Sequence, residues 1–409
     1  MTSGSMMAVP PLRVALVTQG YQSAGGVQTV ARWLVRGLRA SGHSVHIFNL
    51  ATSRDDPHSR RLLRPFTWFK DPLLVLDANE PDVTHVGANG TELEILRYLP
   101  RRNLDDALNE YDVVQVVAGG PALAWAASRA NPPTALQAAT TVRRERQSML
   151  ARQSPAAKLA HVAMTAVVTR IEMKALRNAA TVLVENHEMA SYVRSRAPRT
   201  VVTVAPPGVD IERFAPRADG WRGDGYLLSV CRLEDCRKGL ERLVEAYSLL
   251  RERRADVPDL VLAGRNEPPA SLIELIHDLG LSSFVQVRRN VPTRDLPGLY
   301  QGASVYLQTS FEEGLGLSVL EAMASGLPVV ATETAGTLET VDSGITGWLV
   351  PQGPDVAADV AEMVSRALDV DGPDMAVAAR ERTVTTFSGA ATLGNFLDSY
   401  ALLRRERVQ

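Results

Sequence analysis

Glu313 and Glu321 stand eight positions apart, and the chain between them carries Gly314, Leu315, Gly316 and Leu317 before the run Leu320-Glu321-Ala322-Met323. The two glycines let the backbone turn tightly and bring bare N–H groups up to a ligand, and Ser318 to Ala324 reads as a short helix closed by Gly326. A phosphate placed at the start of that helix meets unpaired backbone donors and the positive end of the helix dipole. Glu313 then lies in the loop and Glu321 one turn into the helix, so one carboxylate reaches a sugar while the other accepts hydrogen bonds from hydroxyls further along the same ligand. A glutamate pair at this spacing is by itself most often a solvated helix face; the glycines and the Leu-Glu-Ala-Met run set this one apart.

The elements that must hold these residues follow a repeating grammar. Arg13 to Thr18 reads as a buried strand, Gln19 to Gly26 as a loop, and Val27 to Ala40 as an apolar-periodic helix. Ser44 to Phe48, Asp112 to Val117 and Ala180 to Val184 supply further strands, with helical stretches between them. The pattern restarts after Ala205-Pro206-Pro207-Gly208, with strands at Tyr226 to Val230, Asp259 to Ala263, Phe284 to Val287, Ser304 to Leu307 and Pro328 to Ala331. Strands alternating with helices predict doubly wound parallel sheets in an α/β protein, with ligands at the carboxyl ends of the strands. The domain division expected is a flexible N-terminus over 1–11, a first Rossmann-like domain over 12–206, a second over 207–385 and a final helical stretch over 386–409.

A chain of 409 residues, 45% hydrophobic and 22% charged, is long enough for two domains with sizeable cores. Its formal net charge of -2 gives no whole-protein attraction to nucleic acid. Cys231 and Cys236 are too few for a disulfide scaffold and lack a second pair to make a zinc site, which points to a reducing cytoplasm. The longest apolar run, Leu159 to Val168, carries His161 and is too short to span a bilayer, so any membrane contact is expected to be peripheral.

The segment from Ser310 to Val330 resembles the Glu, seven residues, Glu signature of the retaining glycosyltransferases of family four, which have the GT-B fold: two Rossmann-like doubly wound domains facing across a cleft. Leu228 to Leu233 with Arg237 to Leu240 resembles the family segment that holds the donor diphosphate, although Cys231 stands where the family usually has glycine. The resemblance gives Arg232 and Lys238 the task of stabilising the leaving diphosphate, for which an arginine fork and a lysine point charge are suited. Without the neighbouring carboxylates both would read as surface charges at a strand end. Gly25-Gly26-Val27-Gln28 resembles the Gly-Gly loop of the family's first domain, and Val287 to Pro292 its base-edge segment, where Arg288 and Asn290 would lie near the nucleobase. Together these matches run from about Val14 to Val350, and Pro207 to Asp210 with Arg213-Phe214 fits the family's interdomain pattern. In the GT-B fold the last helix returns to the first domain.

One departure stands out. Where family members commonly place a histidine against the donor sugar, this chain has Ala139, and a second histidine-bearing stretch matches Val114 to Val117, which has none. Gln115, Gln137, Thr140, Thr141 and His187 are the side chains left to meet a sugar or acceptor there. The resemblance implies a metal-independent hexosyl transfer from a nucleoside diphosphate sugar to an acceptor hydroxyl. No resident cofactor is expected, and the leaving phosphate would help deprotonate the acceptor in a front-face reaction. The two glutamates then serve as donor binders rather than as a glycosidase acid pair. The alternative is a catalytically silent GT-B module that keeps the donor site; an epimerase on the same fold fits the two-glutamate loop less well.

Between Arg143 and Arg177 eight basic residues face only Glu145 and Glu172, with apolar residues interleaved. This reads as a basic amphipathic surface for anionic headgroups or, more plainly, as a solvated helical face. Phe66, Trp68 and Phe69 lie in an irregular stretch that reads either as a wall of the acceptor site or as core.

Overall fold

Two parallel sheets form, one on each side of the proline-glycine boundary. The computed structural model describes residues 10–23, 25–51, 53, 56–69, 74–90, 92–150 and 155–408. The chain divides into two compact units, the first comprising Met1–Arg146, Gln153–Pro207 and Thr392–Gln409, the second Gln147–Arg152 and Gly208–Ala391. The expected flexible N-terminus falls mostly on residues 1–9, outside the described residues.

The first unit opens with β1 (Arg13–Gln19), α1 (Gly26–Ala40), β2 (Ser44–Leu50), β3 (Leu74–Leu76), β4 (Val83–Val86) and α2 (Arg102–Leu108). It continues with β5 (Val113–Ala118), β6 (Thr134–Ala138), α3 (Val142–Leu150), α4 (Pro155–Asn178), β7 (Thr181–Val184), α5 (His187–Arg196) and β8 (Val201–Val204). The sheet order is β3-β4-β2-β1-β5-β6-β7-β8, parallel except for the antiparallel edge strand β3. Both faces of its centre are covered, so the inner strands are mostly apolar and closed to solvent: Val14 to Val17 in β1 and all of β5, Gln115 included, are buried.

The second unit runs β9 (Tyr226–Arg232), α6 (Leu240–Arg253), β10 (Leu260–Arg265), α7 (Ala270–Asp278), β11 (Val285–Arg289), α8 (Leu296–Gln301) and β12 (Ala303–Gln308). Then follow α9 (Leu317–Ala324), β13 (Val329–Thr332), α10 (Thr337–Thr340), β14 (Gly347–Val350), α11 (Val356–Asp369) and α12 (Gly372–Arg382). The sheet order is β11-β10-β9-β12-β13-β14. Every pairing within it is parallel. The chain winds outward from β9 to β11, returns, and winds the other way from β12, so the carboxyl ends of β9 and β12 flank the point where strand order reverses.

The last helix, α13 (Gly389–Val408), belongs to the first unit from Thr392 onward. A Cβ on Gly37 would lie 2.9 Å from Leu393, Phe396 meets Trp33 edge-on with ring centroids 5.4 Å apart, and the Tyr400 hydroxyl donates to Gln115 Oε1 at 2.7 Å.

The strands named from sequence are present, each within two residues of its expected bounds at either end. The sequence reading gave no range for β3, β4, β6, β8 and β14, which are three to five residues long. Phe66, Trp68 and Phe69 are 69%, 52% and 92% exposed, so the core reading of these three rings does not hold.

Candidate functional site

The strongest cluster lies at the carboxyl ends of β9 and β12. Beyond Arg232 the chain makes a tight turn in which Asp235 caps a short 3-10 segment, its side chain accepting from the Arg237 backbone N–H. Gly239 then adopts a left-handed φ of 63°, and a Cβ there would lie 2.2 Å from the Thr309 carbonyl oxygen. Only glycine lets this loop rest against the end of β12.

That close approach sets Lys238 beside Glu313. The Lys238 ammonium donates to Glu313 Oε1 at 2.5 Å, and the Ser310 hydroxyl donates to the same oxygen at 2.7 Å. Arg232 joins through an intermediary: its Nη2 lies 2.6 Å from Asp235 Oδ2, which also receives Arg237 Nη2 at 2.8 Å. Burial raises the Asp235 carboxyl, but the hydrogen bonds and charge of Arg237, with Arg232 adding to them, outweigh it and hold the group below its usual range. Arg237 also faces Glu312 at 3.5 Å. Cations and carboxylates therefore alternate around this strand end, with Arg232 half-exposed.

Gly314 to Leu317 complete the loop. Gly316, at φ 83°, precedes the first turn of α9, and the Glu313 carbonyl accepts from Gly336 N–H at 3.1 Å. A Cβ at Gly336 would lie 2.6 Å from the Leu315 backbone, so two stretches of main chain meet there and fix the loop. Along α9, Val319, Leu320, Ala322 and Met323 are buried, which turns Glu321 toward the interior. The Tyr300 hydroxyl donates to Glu321 Oε2 at 2.8 Å. Enclosure pushes the Glu321 carboxyl up to about 7, against the opposing pull of the Tyr300 hydrogen bond and of Arg213, while part of the side chain keeps an open surface.

Asn290 and Arg288 diverge. Asn290 has a left-handed φ of 51°, and its Oδ1 accepts from Asn266 N–H at 3.0 Å, tying the loop after β11 to the loop after β10. Asn266 in turn donates to Glu234 at 2.6 Å, so this hydrogen-bonded set borders the Arg232 turn. Arg288 instead sits 5.6 Å from the Tyr226 ring centroid and donates to Gln286 at 3.2 Å. Cys231, at the family's glycine position, has its thiol pushed up to about 12 by burial, which favours the protonated form.

In the first unit Gly26 opens α1 and Gly25 precedes it in extended backbone. Gln28 Nε2 donates to the Gln19 carbonyl at 3.0 Å, fastening the helix start to the end of β1. Gln115 corrects an expectation: it is fully buried, its Oε1 takes the Tyr400 hydroxyl and its Nε2 donates to the Val116 carbonyl, so it holds α13 rather than a sugar. Gln137 is also buried; its Nε2 donates to Glu185 at 3.4 Å and its Oε1 has no protein partner. Ala139 and Thr140 both donate backbone N–H groups to the Gly119 carbonyl, at 3.1 and 2.9 Å. His187 is exposed at the first turn of α5.

Sequence reasoning missed the partners Ser310, Asp235, Arg237 and Tyr300. Asp235 and Arg237 were legible as a capping turn beside Lys238, whereas Tyr300 lies 21 residues from Glu321 and carries no local signal. It also missed Glu172, whose Oε1 accepts from Val142 N–H at 2.9 Å and whose Oε2 is buried without a partner. Among the described residues no group of three or more His, Cys, Asp or Glu side chains is placed to hold a metal ion, and no helix is long and apolar enough to cross a membrane.

Comparison with known proteins bears on the family and the fold. Residues 213–382 match the family described as glycosyl transferases group 1, and residues 24–213 match Glycosyltransferase Family 4. The chain spans about half the length of the first curated relatives it matches, 46%, 54% and 46% of their residues. A D-inositol 3-phosphate glycosyltransferase of Arthrobacter sp. (strain FB24) aligns further, 28% identical over 413 residues and 94% of each chain. Among solved structures, the sucrose-phosphate synthase of Thermosynechococcus elongatus superposes with a TM-score of 0.72 at 23% identity, covering 96% of this chain and 99% of that one. Anabaena HepE in complex with UDP-glucose gives a TM-score of 0.70 at 16% identity, covering 95% and 99%. Likeness at such identity speaks to the fold, and the fold is GT-B. The two sheets and the strand-end cluster thus define a protein of the GT-B class, and within it the chain belongs to glycosyltransferase family four.

Proposed function

We propose that this chain moves a hexose-type sugar from a nucleoside diphosphate sugar to an acceptor hydroxyl, with retention at the anomeric carbon and without a metal. The observation that carries the reading is the Lys238–Glu313 pair at the strand-order reversal, beside the Gly314–Gly316 loop and Arg232. In the reaction the bond from the anomeric carbon to the diphosphate oxygen breaks, and the acceptor oxygen bonds to that carbon on the same face. The acceptor proton passes to the departing phosphate oxygen. Arg232 and Lys238 neutralise the charge that builds on the diphosphate, Glu313 positions Lys238 and the sugar, and Glu321 takes hydroxyls further along the donor.

Several features support the reading: a relative named for transfer to D-inositol 3-phosphate, a GT-B neighbour solved with UDP-glucose, and two free thiols suited to a reducing compartment. The silent-module alternative rests on one observation, Ala139 at the family's histidine position.

Both readings meet in one experiment. The purified chain is screened by thermal shift against UDP-, GDP- and ADP-sugars, then assayed for donor hydrolysis and for transfer to phosphorylated polyols, with the anomer followed by NMR. A stabilising donor that turns over with retention, and whose turnover falls by about a hundredfold to a thousandfold in Lys238→Ala, supports transfer. Stabilisation without turnover across the acceptor panel selects the silent module. Lack of stabilisation by any donor overturns both.

A further inference from the structure

The segment from Arg60 to Phe69 reads Arg-Arg-Leu-Leu-Arg-Pro-Phe-Thr-Trp-Phe, with three cations, five large apolar side chains and no acid. Buried apolar groups are the ordinary fate of such a run, yet here Leu62, Leu63, Phe66, Trp68 and Phe69 are all exposed, Leu63 by 83% and Phe69 by 92%. The backbone beneath them is ordered by its own hydrogen bonds. Buried Thr67 donates its hydroxyl to the Arg64 carbonyl at 2.8 Å and accepts the Arg61 N–H at 2.8 Å, and the Trp68 indole N–H donates to the Arg61 carbonyl at 2.9 Å. Leu62 N–H donates to Glu92 at 3.1 Å, which fastens the turn to the next loop. The rings are thus presented outward on a preformed turn, with the one indole donor already satisfied.

We propose that this turn is a docking surface for an anionic bilayer. Aromatic rings settle at the headgroup level, apolar side chains enter the acyl boundary, and the exposed Arg64 among them meets lipid phosphates, while Arg61 is turned to Glu92 at 3.5 Å. A second protein is a poorer occupant, because five apolar side chains on one turn fall well short of the roughly 20–30 residues a side that a stable interface engages. The basic stretch from Arg143 to Arg177 is less suited to the task. Arg144 pairs with Glu188, Arg146 with Glu94 at 2.5 Å, and Lys174 lies 5.6 Å from the Trp125 ring centroid, so part of its charge is spent within the first unit.

The test is co-sedimentation of the full chain with vesicles of phosphatidylcholine alone or mixed with phosphatidylglycerol, which needs no donor and so stands apart from the assay of transfer. The chain is expected to pellet with the anionic vesicles and to be released by high salt. Phe66→Ser/Trp68→Ser/Phe69→Ser is expected to lower the bound fraction by about tenfold while the chain stays folded at the assay temperature, since Phe66 and Phe69 are exposed and Trp68 gives up one hydrogen bond, to the Arg61 carbonyl. Trp68→Phe, which keeps the apolar surface, is expected to bind while losing the blue shift of tryptophan emission on vesicle addition. Equal binding by the triple variant, or no binding to anionic vesicles, overturns the proposal. So does a dimer in light scattering that the triple variant dissolves while vesicles capture neither protein, because the turn is then a contact between two copies.

Discussion

Glu172 on α4 and Glu321 on α9 look alike as isolated residues. Each is a helix-borne carboxyl raised to about 7, each chiefly by burial, and each accepts one hydrogen bond on one oxygen. Their settings separate them. Glu321 takes a side-chain hydroxyl, keeps part of its surface open, and shares a short helix and its leading loop with the Lys238–Glu313 pair. Glu172 takes the Val142 backbone N–H, is shut from solvent, and leaves its second oxygen without a protein partner. A raised carboxyl is therefore a sign of enclosure first; what it serves is decided by what encloses it.

Exchanging the roles of the two carboxyls gives the largest expected effect. Glu321→Ala is expected to weaken donor binding by about tenfold to a hundredfold, the worth of hydrogen bonds to a charged acceptor. Glu172→Ala is expected to leave donor affinity alone and to lower the thermal midpoint of the chain, since the Val142 N–H loses its acceptor and a cavity opens. Calorimetric titration with the stabilising donor, together with thermal unfolding of both variants, reads the two outcomes. A Glu172→Ala protein that folds normally yet binds donor poorly would break the comparison.

The pH dependence sharpens it. Burial raises Glu172 from 4.5 to about 7, so between those values the folded protein holds a proton that the unfolded chain releases. Its contribution to stability is present below about 4.5 and is lost as pH rises through about 7. Glu172→Gln keeps an acceptor for Val142 and removes the titration. The charged neighbours of the group, Glu145 and Arg146 on α3 and Glu94 in the 3-10 turn Glu94–Tyr98 before α2, remain in both proteins. The variant is expected to gain on the wild type between pH 5 and pH 8, by on the order of 2 kcal/mol in the unfolding free energy from denaturant titration. Curves that stay parallel across that range would show that the group is ionised in the folded state throughout.

Much of this was legible in the sequence, and the boundary of legibility has physical causes. The second sheet and its cluster could be read because their residues sit in local patterns: a strand ending in Arg232, a turn carrying Lys238, and a glycine loop between two glutamates. Short strands at sheet edges escaped because β3 and β8 bury little and carry no long apolar run. Tyr300 and Glu172 escaped because their partners lie 21 and 30 residues away, at separations set by topology and not by any repeat. For Phe66, Trp68 and Phe69 the sequence leaves two readings open, a wall of the acceptor site or core, and their exposure removes the second, because a local apolar pattern does not say whether anything covers it.

The two buried glutamines of the first sheet offer the smallest and most discriminating test. Gln115 and Gln137 lie on adjacent strands, both closed to solvent, and sequence alone treats them as equivalent contacts for a sugar. Gln115 Oε1 is the acceptor for the Tyr400 hydroxyl, which is itself buried, so Gln115→Leu strands that hydroxyl and is expected to cost about 1–3 kcal/mol. Gln137 Oε1 satisfies no protein donor, and its amide makes only a long contact to Glu185, so Gln137→Leu is expected to change stability by less than about 1 kcal/mol. If Gln137 is instead a sugar contact, its variant will lose donor or acceptor affinity at unchanged stability, whereas the Gln115 variant will lose stability first. Denaturant unfolding and ligand titration on the same two proteins separate these cases, and a Gln115→Leu protein as stable as the wild type would remove the role assigned to it in holding α13.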